Sequence, residues 1–136
     1  MRRRAAKITT LVAGLAATLA MAIPAPALAP SLVALDGLTR GNWDLAGRQG
    51  STNRKVCLRA GFELLQLRGD AGRCTRTIIR NLASDLEVQF SCGGGSQARV
   101  DLRVETPSLA QISIQGIADG APFNDSYEAR HTGPCR

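Results

Sequence analysis

Few side chains here could do chemistry: four cysteines, one histidine and 11 carboxylates in 136 residues. Cys57, Cys74, Cys92 and Cys135 are spaced by 17, 18 and 43 residues, with no C-x-x-C pair. With His131 the only histidine, a zinc site or a dithiol redox centre would need closer ligands than these. Two structural disulfides are the expectation. His131 is the single candidate base, yet no G-x-S-x-G turn offers it a serine, and paired cysteines leave it no thiol. The carboxylates Asp101 and Glu105 alternate with Arg99 and Arg103, which reads as a solvated, charge-balanced sheet face. A glycosidase would need two carboxylates in contrasting environments within a cleft. Gly93-Gly94-Gly95 lacks the Lys-Ser/Thr of a phosphate loop and reads as a turn. The sequence therefore predicts no catalytic residue, no metal site and no cofactor, and a chain that is not an enzyme.

The elements that position these groups are strands. Leu86, Val88, Phe90 and Cys92 alternate with Glu87, Gln89 and Ser91. Ala98, Val100, Leu102 and Val104 alternate with Arg99, Asp101, Arg103 and Glu105. Ala110, Ile112, Ile114 and Gly116 alternate with Gln111, Ser113 and Gln115. A period of two marks strands with one buried and one wet face. Turn residues separate them at Gly93–Gly95, Thr106–Ser108 and Asp119–Pro122. Folding about Gly95 sets Val88 against Leu102, Phe90 against Val100 and Glu87 against Arg103. Folding about Pro107 sets Leu102 against Ile112 and Val100 against Ile114. Both hairpins put the apolar residues on one face, as a slip of one residue would not. A last strand, Ser126 to His131, adds Tyr127 and Ala129.

Arg73 to Arg80 reads as a further strand with its turn at Asn81 to Asp85. That hairpin, centred on residue 83, brings Cys74 opposite Cys92, within disulfide reach. Cys57 then pairs with Cys135. The N-terminal half is expected to cover the apolar face. Asn42 to Gly47 and Lys55 to Leu58 are short strands, Trp43 is a core anchor, and Ala60 to Leu67 is a short helix ended by Gly69–Gly72. The predicted fold is mainly β: one antiparallel meander of five to seven short strands with one short helix, stapled by two disulfides.

Residues 1–29 have the order of a secretory signal: basic Arg2 to Lys7, apolar Ile8 to Ile23, then Pro24 to Ala29. Cleavage after Ala27 or after Ala29 is open. Residues 30–136 form the single predicted domain. The signal carries four of the chain's 17 basic residues, which leaves 13 basic against 11 acidic residues in the remainder. The formal charge of +6 is thus no argument for nucleic-acid binding. The h-region is shorter than the ~20 residues of a membrane-spanning helix, so no stable anchor is expected. An oxidising destination, periplasmic or secreted, agrees with the disulfides.

Several segments carry a resemblance: Gly41-Asn42-Trp43-Asp44-Leu45, Lys55-Val56-Cys57-Leu58, Leu64-Leu65-Gln66-Leu67-Arg68, Arg73-Cys74, Ser91-Cys92, Arg103-Val104-Glu105-Thr106-Pro107, Gln115-Gly116-Ile117, and Glu128 through Cys135. In this order, with all four cysteines, the chain resembles the small exported proteins of Gram-negative bacteria grouped as a domain of unknown function. The resemblance implies a periplasmic, disulfide-bonded domain and assigns no activity. Gly41 to Gly47, followed by a cysteine, is also similar to the opening of small periplasmic inhibitors of bacterial metalloproteases, which use a lipocalin-like barrel. The expectation is a monomeric, non-catalytic binding or structural module with an envelope ligand or protein as partner. The alternatives are a protease inhibitor, for which Leu28 to Leu38 would be an exposed arm, and a small hydrolase.

Overall fold

The computed structural model describes residues 30–68 and 73–136. Residues 1–29, where the signal segment is expected, and Gly69–Gly72 lie outside the described residues. Seven strands form one antiparallel sheet: β1 Gly41–Arg48, β2 Arg54–Leu58, β3 Thr75–Asn81, β4 Asp85–Ser91, β5 Gln97–Thr106, β6 Leu109–Ala118 and β7 Ala121–Gly133. Their spatial order is β2-β1-β7-β6-β5-β4-β3. Strands β3 to β7 are the expected meander. The strands β1 and β2 do not cover it but extend it, because β1 pairs with β7. The sheet thus has two open edges, β2 and β3.

The alternation sorts the side chains as expected. Trp43, Leu45, Leu86, Val88, Val100, Leu102, Ile112, Ile114, Tyr127 and Ala129 are buried on the inner face. The β5–β6 register is the predicted one, Leu102 against Ile112 and Val100 against Ile114. The β4–β5 register is corrected by two residues: Val88 faces Val100, Leu86 faces Leu102, and Glu87 faces Asp101, not Arg103. The Gly93–Gly95 turn causes this. Its single 3-10 turn, with Gly94 and Gly95 at positive φ, is closed by the Cys92 N–H donating to Ser96 O at 2.8 Å. The fold axis therefore passes through residue 94. A slip of two keeps every side chain on its face. Strand β7 runs 13 residues, well beyond the short strand expected. Asp119 (φ 52°) and Gly120 (φ 75°) make a tight two-residue turn, so pairing starts at Ala118 and Ala121.

The cover comes from two other stretches. Leu32, Ala34, Leu35 and Leu38 are buried, and Val33–Asp36 forms the one α-helical turn among the described residues, α1. Asn81 on β3 holds it: its Oδ1 accepts from the Val33 N–H and its Nδ2 donates to Ser31 O, each at 2.9 Å. The second stretch follows β2. The predicted Ala60–Leu67 helix is only a 3-10 turn at Phe62–Leu64. Gly61 (φ 97°) breaks the approach, and Leu64, Leu65 and Leu67 are all buried. This stretch bridges the gap between the open edges: the Arg54 guanidinium donates to Leu67 O, and Arg76 of β3 lies 5.0 Å above the Phe62 ring.

Both predicted disulfides are present, Cys74–Cys92 and Cys57–Cys135. The first staples the β3–β4 hairpin. The second spans β1 on the sheet's outer face, since Cys57 lies opposite Asn42. It ties β2 to the tail after β7 rather than to the cover. Asn42 Nδ2 donates to Pro134 O at 2.8 Å beside it.

Candidate functional site

The single histidine is a packing residue. His131 stands edge-on to Trp43, with ring centroids 6.0 Å apart. Its Nε2 is buried and has no hydrogen-bond partner among the described residues. A Cβ on Gly41 would come within 2.6 Å of that nitrogen and 2.2 Å of Gly133 O. Glycine is required here twice over, for this approach and for its φ of 137°. Trp43 Nε1 donates to Thr39 O at 2.9 Å, so the indole anchors the segment between α1 and β1. All four cysteines are in disulfides. Among the described residues, no three His, Cys, Asp or Glu side chains gather as a metal site would require, and no helix is long and apolar enough to cross a membrane.

The polar face is less solvated than the sequence suggests. Glu87 is only 2% exposed. Arg99 Nη2 meets its Oε1 at 2.7 Å and Arg80 Nη2 its Oε2 at 3.3 Å. Two guanidinium groups close over one carboxylate, so the charge is matched although buried. The signal missed in the sequence is the bulge at Ile79. It shifts Arg80 into register with Glu87.

The same layering recurs around β1, β2 and β7, and there it encloses a groove. The ladder sets Asp44 between Lys55 of β2 and Arg130 of β7, and Ala46 opposite Glu128. Glu128 binds Arg48, and Arg130 at 2.7 Å; Gln111 Nε2 approaches it at 3.5 Å. Hydrogen bonding from Arg130, then from Gln111, holds Glu128 below the usual carboxylate range. The small Ala46 leaves a hollow of about 410 Å³ walled by Asp44, Asn53, Lys55, Glu128 and Arg130. A second hollow of about 420 Å³ adjoins it, sharing Asp44, Lys55 and Thr132 and reaching Asn42 and Arg136. Together they make a trough across the outer face.

Comparison of the chain with family models, with curated proteins and with solved structures finds no match. The expected inhibitor arm is placed otherwise than that reading requires. Of Leu28 to Leu38, Leu32, Ala34, Leu35 and Leu38 are packed into the core, while Leu28 and Ala29 lie outside the described residues.

Proposed function

We propose that the chain is a non-catalytic binding module exported to the cell envelope, and that the trough over β2, β1 and β7 is its recognition surface. The observation that carries this reading is the division of the sheet. The inner face is filled by Trp43, Tyr127 and their aliphatic neighbours, while the outer face holds a trough lined by charged side chains and of a size that small ligands occupy. Two disulfides agree with an oxidising, extracellular-type compartment. The order of residues in 1–29 and the likeness to small exported four-cysteine proteins support a periplasmic or secreted location. The sole imidazole packs between Trp43 and Gly41, a poor place for a general base.

The test is native purification from the envelope fraction of the host, with mass spectrometry of bound material, comparing wild type and Ala46→Trp. Material retained by wild type and lost from Ala46→Trp is expected. Equal retention would overturn the surface assignment. Hydrolytic turnover abolished by His131→Phe would overturn the non-catalytic reading.

A further inference from the structure

We infer that the trough takes an acidic oligosaccharide, a chain of hydroxylated rings bearing single carboxylates. This rests on the binding-module reading above and names its ligand class.

The charges are layered by depth. Lys55 is 86% exposed over Asp44 at 50%, and Arg130 is 61% exposed over Glu128 at 18%. Arg48 likewise stands further out than Glu128. A ligand arriving from solvent meets ammonium and guanidinium groups first, with the carboxylates beneath them. Such cations attract anions and offer donors that suit carboxylate oxygens.

Three features select among anions. The cations are separate: Lys55 and Arg130 flank Asp44 on opposite strands, and Arg136 lies in the adjoining hollow. Monoanions spaced along a chain can each meet one of these separate cations, whereas a single compact phosphate cannot span them. Next, Asp44 is half exposed and its ion pair with Lys55 is long, at 3.8 Å. It remains an acceptor seeking donors, which the several hydroxyls of each sugar ring supply. Asn42, Asn53 and Thr132 line the same walls; Asn42 Nδ2 donates to Pro134 O, Asn53 Oδ1 accepts from the Gly47 N–H and the Thr132 hydroxyl donates to Asn42 O, which leaves Asn42 Oδ1, Asn53 Nδ2 and the Thr132 oxygen for a ligand. Lastly, the lining offers no aromatic side chain. Protein interfaces are generally anchored by buried aromatic side chains, so an acidic polypeptide fits less well.

The experiment is calorimetric titration of the intact purified protein with hexagalacturonate, maltohexaose, hexaglutamate and inorganic phosphate. Binding of hexagalacturonate is expected, weakening as salt rises because exposed charges are screened. Lys55→Gln and Ala46→Trp should each weaken it by about tenfold or more. Both sites face solvent, and an unchanged melting temperature establishes that the variants fold. Equal binding of maltohexaose would overturn the role of charge. Preference for hexaglutamate or phosphate would overturn the saccharide. Unaltered binding by folded Ala46→Trp would overturn the location. If no probe binds while envelope material still co-purifies in an Ala46-dependent way, this ligand assignment fails and the binding-module reading stands.

Discussion

The two disulfides close loops of very different length, and their contributions can be separated by reduction. Cys57–Cys135 spans 78 residues and Cys74–Cys92 spans 18. Chain-entropy arithmetic gives about 4.5 kcal/mol for the first and about 3.2 kcal/mol for the second, a difference of about 1.3 kcal/mol. Replacing cysteines would blur this, because Cys74 and Cys92 pack against the core and lost sulfur adds a packing cost. Two variants avoid the difficulty. Cys57→Ser with Cys135→Ser keeps only the short loop; Cys74→Ser with Cys92→Ser keeps only the long one. Urea unfolding of each, oxidised and then reduced, compares states that share every atom but two hydrogens. Reduction should cost more in the long-loop variant. Hydrogen exchange should then rise in β2 and around Asn42, because that bond ties β2 and the C-terminal tail across β1. An equal or larger loss from reducing the short loop would refute the loop-closure argument.

Other consequences follow from single contacts. Asn81→Leu removes both bonds to Ser31 and Val33; it should cost about 1–2 kcal/mol and raise hydrogen exchange in residues 31–38 before elsewhere. Gly41→Ala should destabilise by about 2 kcal/mol or more, read as a lower urea midpoint, since β-carbon, His131 and Gly133 cannot share the space. Glu63 accepts backbone N–H bonds from Arg59, Ala60 and Gly61. Burial alone would push its carboxyl up, but the backbone N–H groups of Glu63 itself, Ala60, Arg59 and Gly61 outweigh this and hold it below the usual carboxylate range. Its stabilisation is therefore complete above the unfolded-state pKa and disappears as pH falls through the depressed folded value. Glu63→Gln should flatten that acid limb in stability measured against pH.

The β3–β6 hairpins were legible because strict alternation allows a register to be tested face against face. Cys74 and Cys92 followed from the same arithmetic. What stayed hidden lacked a local pattern. The two-residue error at Gly93–Gly95 arose because a three-glycine turn can fold about more than one axis while every face is preserved. The Ile79 bulge, which brings Arg80 to Glu87, leaves no mark in a run as uniformly β-prone as Thr75 to Ile79. The helix at Val33–Asp36 is four residues, too short for a helical period to register. The pairing of β1 with β7 joins Asp44 to Arg130 across most of the chain. No spacing argument reaches that far, and the trough exists only because of it.

The central claim is that recognition occurs on the outer trough and not at the inner face or its mouth. Photo-crosslinking in the living host tests this most directly, with the reactive residue placed at Ala46 in one strain and at Phe123 in another. Phe123 lies beneath Arg68, 4.0 Å from the guanidinium carbon, at the inner side of β7. The account predicts a discrete adduct from position 46, reduced by Lys55→Gln, and none from position 123. An adduct confined to position 123 would contradict it.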